Sequence, residues 1–146
     1  MRLYSFVNMY LSGKQQGIQT AHVVSEMAMA EQTTKVSTIF NEWAKNHKTI
    51  IMLNGGNCAS LEGIYDHIWE FVNSDVFERH DCNIPMSVFY EDEQSLNGAP
   101  TAVGVVLPEW LYDEEKALEK FSLCKNDGKM IYVFCFIDWL KSFSLA

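Results

Sequence analysis

Apolar and polar positions follow two rhythms along this chain. Leu3 to Met9 is a nearly continuous apolar run, rich in aromatic and β-branched residues, and predicts a first strand apolar enough to sit centrally in a sheet. From Gln16 to about Ala30 the spacing turns helical, with Ile18, Ala21, Val24 and Ala28 near one face. A second helix is predicted over Thr34 to Asn46, where Val36, Ile39, Phe40 and Trp43 recur at helical intervals and Thr33 or Thr34 can cap the start. Lys48 to Leu53, "KTIIML", reads as a short strand that "NGGN" then breaks. The clearest helix follows over Ala59 to Val72, with Leu61, Ile64, Tyr65, Ile68 and Phe71 on one stripe.

"IPMSVFY" (Ile84 to Tyr90) and "TAVGVVL" (Thr101 to Leu107) predict two more strands, joined by the polar stretch "EDEQSLNGAP". Pro108 and the acids Glu109, Asp113 and Glu114 suggest a fourth helix to about Phe121, and "CKNDGK" a turn. "MIYVFCF" fits either a fifth strand or the start of a long helix, and "IDWLKSFSLA" reads as helical. The resulting order, β-α-α-β-α-β-β-α with a C-terminal extension, predicts a single α/β domain over 1–146 with a mixed sheet of about four strands flanked by helices.

Composition narrows the partners. The 146 residues are 48% apolar and 21% charged, the balance of an ordered globular chain. The net charge is −8, from 11 Lys plus Arg against 19 Asp plus Glu, with no basic cluster. A surface that tracks a duplex or a tRNA needs several clustered cations, so no long nucleic acid is expected. A small nucleotide asks for less: a helix start, one or two lysines and an aromatic ring. Cys58, Cys82, Cys124 and Cys135 form no C-x-x-C pair, and the start "MRLYSFVNMYL" makes a poor signal peptide. The longest apolar run, Ile131 to Ile137, is too short to cross a bilayer. A soluble, cytoplasmic protein with reduced cysteines is the expectation.

Two stretches concentrate candidate chemistry. In "YLSGKQQGIQTAH" the chain leaves the first strand and enters the first helix, where Lys14 and free backbone N–H groups could hold an anion. Gln15, Gln19, His22 and Glu26 fall within roughly a 60° arc of that helix. This ridge is either the solvent face of a helix packed on the sheet or one wall of a pocket. The second stretch, "FYEDEQSLNGAPT", carries Phe89, Tyr90, Glu91, Asp92, Asn97 and Thr101. Phe89 or Tyr90 could stack on a base and Asn97 could bond to ligand amides or hydroxyls, or the stretch is simply a solvated loop with a Gly-Ala-Pro turn. "HDC" (His80, Asp81, Cys82) lacks metal-ligand spacing, Ser95 lacks nucleophile-elbow glycines, no G-x-x-x-x-G-K loop occurs, and Asn57 of "LNGGN" reads as a helix cap.

Taken together, "QGIQTAHVV" with Gln19 and His22, "KTIIML" with Lys48, and "EDEQSLNGAPTAVGVVLPE" with Thr101 and Pro108 resemble the type 2 peptidyl-tRNA hydrolase fold family over roughly residues 2 to 109. The resemblance implies a three-layer domain, with 1–109 as the hydrolase-like core and 110–146 as a C-terminal helix and extension. It also places Gln15 where the hydrolases carry a catalytic lysine, and the D-A-G-x-T pattern is lost from a loop about two residues shorter. "G-I-Q-x-x-H" with "E-D-x-x-S-L-N-G-x-x-T-A" is similar to small phage-encoded relatives of that fold, among them Thoeris anti-defence proteins that sequester cyclic ADP-ribose-type signals and, in some members, cyclic oligonucleotides.

The implied function is sequestration of a small cyclic nucleotide in the cytoplasm of an infected bacterial cell, with no catalytic residue, metal or cofactor. The implied ligand-binding residues are Lys14, Gln15, Gln19, His22, Phe89, Tyr90, Asp92, Asn97 and Thr101. A homo-oligomer, dimer or higher, with Met130 to Ala146 as contact surface would help to enclose the ligand. The alternatives are a peptidyl-tRNA hydrolase-like or nucleotide-cleaving enzyme built on Lys48, Asp92 and Thr101, and a module that binds a host protein.

Overall fold

The computed structural model describes residues 1–33, 38–77, 83–121 and 127–146. Four strands, β1 (Arg2–Val7), β2 (Ile50–Asn54), β3 (Met86–Tyr90) and β4 (Pro100–Leu107), form one open mixed sheet in the order β2-β1-β4-β3. β1 and β2 run parallel, Leu3 opposite Ile50 and Val7 opposite Asn54. β4 is antiparallel to both β1 and β3. The apolar runs of β1 and β4 therefore occupy the two central positions, where both faces of a strand are covered.

Helix α1 (Gly13–Thr33) lies on one face. A row of small residues in register, Ser5, Gly104 and Ser87, lets it come close. A Cβ on Gly104 would stand 2.2 Å from Val23 Cγ1. Ser5 and Thr20 hydroxyls bond at 2.8 Å, and Ser87 Oγ donates to Val23 O at 2.9 Å. On the other face Phe6 packs against Trp139 and Phe143, bringing α6 (Asp127–Lys141) over β1 beside α3 (Cys58–Val72). Phe71 stacks on Phe136 at 3.9 Å between those two helices.

Several details depart from the sequence reading. The buried stripe of α1 is Gln16, Gln19, Thr20, Val23 and Met27, whereas Ile18 and Ala21 are exposed. Polar side chains take the inner positions because each finds a partner there, so apolarity alone misplaces the face. The second helix is described as α2 (Thr38–Glu42) and a π-helical turn, Trp43–His47, that ends at Lys48 in left-handed backbone with φ 58°. Its expected start at Thr34 to Val36 lies outside the described residues, as do His80, Asp81, Cys82 and the first half of "CKNDGK"; Asp127, Gly128 and Lys129, expected in that turn, instead form the first turn of α6.

The loop after β3 contains a short helix, α4 (Glu93–Leu96). The expected fourth helix is split into a 3-10 turn, Glu109–Leu111, and α5 (Glu114–Phe121). Asp113 Oδ1 accepts from the N–H groups of Glu115 and Lys116 and so starts α5 afresh. "MIYVFCF" is helical, because Val133, Phe136, Ile137 and Leu140 share one buried stripe at helical spacing. Among the described residues no helix is long and apolar enough to cross a membrane.

Candidate functional site

The strand-to-helix junction is shaped by Asn8 and Ser12. Ser12 caps α1: its carbonyl accepts from Gln16 N–H and its Oγ lies 3.3 Å from Gln15 N. Gln15 Oε1 returns the contact, accepting from Ser12 N at 3.0 Å and Ser12 Oγ at 2.9 Å. This is a capping box, so the side chain of Gln15 is turned back toward the helix start. Lys14 is exposed on the same turn, and the Gly13 and Lys14 amides remain at the open end.

Asn8, which the sequence reading passed over, ties the surrounding segments together. Its N–H donates to Thr101 O, its carbonyl accepts from Gln16 Nε2, its Oδ1 accepts from Tyr10 N–H, and its Nδ2 lies 3.5 Å from Cys58 Sγ. Its only sequence signal is a buried amide at the end of a central strand, and that becomes visible only when its neighbours are known.

Along β3, Ser87 and Phe89 point to α1 while Val88 and Tyr90 alternate away. Opposite this strand the register slips: Phe89 pairs with Ala102 but Tyr90 with Pro100, leaving Thr101 as the extra residue of a bulge. Thr101 thereby turns toward the helix, and its Oγ1 donates to Gln19 Oε1 at 2.8 Å. Gln19 Nε2 donates to Glu91 Oε1 at 2.7 Å. The His22 ring stacks on Phe89 with centroids 4.3 Å apart and planes 10° off parallel.

The two stretches therefore meet in one array: Glu91, Gln19 and Thr101 in a hydrogen-bonded chain, flanked by the His22 and Phe89 rings. The Gln15, Gln19, His22, Glu26 ridge lies roughly a quarter-turn from the centre of the buried stripe, so Gln19 at the shared edge is buried and His22 is exposed.

Other named residues sit elsewhere or serve the backbone. Tyr90 faces the other side of the sheet edge and is half exposed. Asn97 and Gly98 both adopt left-handed backbone, φ 54° and 67°, which fits Asn-Gly as a turn; the Asn97 side chain is exposed. Asp92 is exposed, and its carbonyl accepts from Gly98 N–H at 3.4 Å. Lys48 precedes β2 beside the start of β1, where Leu3 N donates to Thr49 O, while Thr101 lies beside the end of β1. With about five strand residues between them, Lys48 and Thr101 cannot share one reacting centre.

Two shifted phenols lie at that far end. Burial pushes the Tyr4 and Tyr112 phenols above their usual range, against the pull of Arg2. Among the described residues no group of three His, Cys, Asp or Glu side chains could hold a metal ion. Neither of two cavities among the described residues is lined by a residue of the array; the larger lies beside Asn54, Gly55 and the end of α6. No protein-family model matches the chain, and no curated protein matches it.

Proposed function

We propose that the chain binds a small phosphorylated nucleotide, of the cyclic ADP-ribose or cyclic oligonucleotide kind, and withholds it from an immune effector without cleaving it. The observation that carries this reading is the Glu91–Gln19–Thr101 chain beside the His22–Phe89 stack, which joins segments 72 and 82 residues apart. An amide, a carboxylate and a hydroxyl held by one another offer fixed donors and acceptors, and an aromatic pair beside them offers a face for a base. Lys14 and the open amides of α1 would meet the phosphate.

The same geometry speaks against the enzyme reading. Gln15 stands where the resembling hydrolases carry a lysine, and its side chain is engaged with Ser12. Lys48 lies at the other end of β1 from Thr101. Sequestration asks for affinity and no complementarity to a transition state, so neither loss matters to it. The four-stranded mixed sheet with helices on both faces agrees with a three-layer, type 2 peptidyl-tRNA hydrolase-like fold. Exposed Ile131 and Tyr132 on α6 and Trp69 on α3 would supply contacts for a homo-oligomer in the cytoplasm of the infected cell.

Mixing the chain with cyclic ADP-ribose, then denaturing it by heat and weighing the released small molecule, tests the reading. Intact ligand together with a raised melting temperature is expected, since binding to the folded state alone adds about 2.7 kcal/mol at a hundredfold excess over Kd. Released product of altered mass would sink sequestration. Phe89→Ala should weaken binding by about 1–3 kcal/mol if a base stacks there.

A further inference from the structure

Beyond the carboxyl end of β2, on the sheet face away from α1, the chain opens a cavity of about 590 Å³. This size lies within the range of small-molecule sites, and the carboxyl ends of parallel strands are where open α/β sheets take ligands. One wall is a single stripe of α3: Ser60, Gly63, Ile64 and His67. The facing wall is Trp139 of α6 and Ser142 to Ser144 after it, and Asn54 with Gly55 and Gly56 closes the base.

The lining is polar but contains no Lys, Arg, Asp or Glu. Ser60 Oγ donates to Asn57 Oδ1, Ser142 Oγ to Trp139 O, and Gly56 N–H to Asn54 Oδ1. Their remaining lone pairs stay available. Among the described residues, Asn54 Nδ2, both ring nitrogens of His67 and the Ser144 hydroxyl bond to no other group of the protein, and His67 and Ser144 are exposed to solvent. Trp139 is fixed by its neighbours, with Phe143 edge-on at 5.0 Å and His67 at 4.3 Å. A phosphate would find no cation here, and a purely apolar guest would strip water from the amide, imidazole and hydroxyls without replacing it. A ring bearing several hydroxyls satisfies both constraints: its oxygens bond to Asn54, His67 and the serines, and its C–H face packs on Trp139 and Phe143.

We infer that this cavity is a second binding site, separate from the Gln19 array, for an uncharged sugar ring, either as a free glycoside or as the ribose of a nucleoside. Gly63 is part of the fit. A Cβ built on it meets nothing within 4 Å, so the missing side chain leaves α3 bare where the ring would lie.

Saturation-transfer NMR on the full chain, with methyl β-D-glucopyranoside, methyl β-D-ribofuranoside and adenosine as separate probes, tests the site. Transfer to sugar-ring protons of at least one probe is expected. Adenosine alone would identify a nucleoside as the source, and either glycoside a free sugar. Gly63→Leu should melt no lower than the parent, because it replaces a helical glycine and enters open space, yet weaken that binding by roughly tenfold or more. His67→Ala should weaken it as well. Absence of transfer from all three probes, or transfer undiminished in Gly63→Leu, overturns the inference. An adenosine signal that survives Gly63→Leu and vanishes in Phe89→Ala belongs to the Gln19 array and counts against the cavity.

Discussion

Thr101 Oγ1 reaches Gln19 Oε1 because β4 carries one residue more than β3 at that point. Strict alternation would have turned Thr101 with Val103 and Val105 to the other face of the sheet. The bulge instead brings a hydroxyl from the middle of a sheet onto a helix, and the helix amide passes the contact on to Glu91. The orientation of the Gln19 amide is thereby fixed at both ends, oxygen to a donor and nitrogen to an acceptor.

Gln19→Glu should break that arrangement in a pH-dependent way. The new carboxylate would stand where the amide nitrogen now donates to Glu91 at 2.7 Å, bringing two acids together in a partly buried setting. One of the pair must then hold its proton more tightly in the folded chain than in the unfolded one. At pH 7 the cost should be about 1–3 kcal/mol. It should shrink as pH falls toward about 4 and be gone below that, where the unfolded chain is protonated too. Chemical denaturation of parent and variant at the two pH values checks this, and an equal loss at both would contradict it.

Gln15→Lys restores in sequence the cation that the resembling hydrolases carry. It should yield no cleavage of a peptidyl-tRNA or a cyclic nucleotide, since this position faces Ser12 and the helix start. It should also cost about 0.5–1 kcal/mol, through the lost capping box and a positive charge near the helix N-terminus. A melting curve reads the loss, and appearance of hydrolysis would show that the lysine reaches the Gln19 array.

Strand and helix identity were legible wherever a long run kept one rhythm, as in β1, β4 and α3, because burial on one or both faces writes itself into apolar spacing. The inner face of α1 was not, since Gln16, Gln19 and Thr20 are buried through partners contributed by distant segments. Gln19, His22, Phe89 and Thr101 stood out as polar or aromatic residues at a junction and a strand end, and they do meet. Glu91 rather than Asp92 bonding to Gln19 follows from strand alternation carried one step past β3, and Thr101 depends on a bulge that no local pattern announces. The cavity beside His67 arises from the packing of α3 and α6, whose relative position no single segment encodes.

Gly104 lets the Val23 and Met27 side chains of α1 pack directly on the sheet. Gly104→Ala would place a methyl group 2.2 Å from Val23 Cγ1 and 3.1 Å from Met27 Cε, so the helix must lift or its side chains shift. The expected cost is about 1–3 kcal/mol. Val23→Ala in the same chain removes the nearest clashing atom. The double variant should therefore be more stable than the sum of the two single losses predicts, with a coupling of at least about 0.5 kcal/mol. Simple additivity in denaturant midpoints would mean that the helix relaxes as a body.

Alkaline stability should depend on Tyr4. Burial raises its phenol above the usual value, and the hydrogen bond from Arg2 opposes that shift without reversing it. The unfolded chain releases this proton near pH 10, before the folded chain does. The unfolded state then binds fewer protons, so stability falls as pH climbs past about 10. Tyr112, raised by burial in the same direction, adds to the slope. Tyr4→Phe should flatten the alkaline limb of a stability profile measured from about pH 9 to 11.5, while an unchanged slope would remove Tyr4 as its source.

The outer edge of β2 is partly covered by the last residues of the chain. Asn54 N–H donates to Ser144 O at 2.9 Å, and Ala146 N–H donates to Met52 O at 3.0 Å, with Leu53 paired to Leu145. Removing Ser144, Leu145 and Ala146 exposes these groups on a strand that already presents Ile50 to solvent. An open apolar edge is a template for another chain. The shortened protein should lose about 1–2 kcal/mol for the two bonds and show a higher apparent mass than the full chain in size-exclusion chromatography with light scattering, rising with concentration. Unchanged mass at all concentrations would mean that the twist of β2 or its side chains protect the edge without the tail. The same deletion takes Ser144 from the wall of the cavity, so any sugar binding measured there should weaken, while any cyclic ADP-ribose binding that depends on Phe89, on the other face of the sheet, should not change.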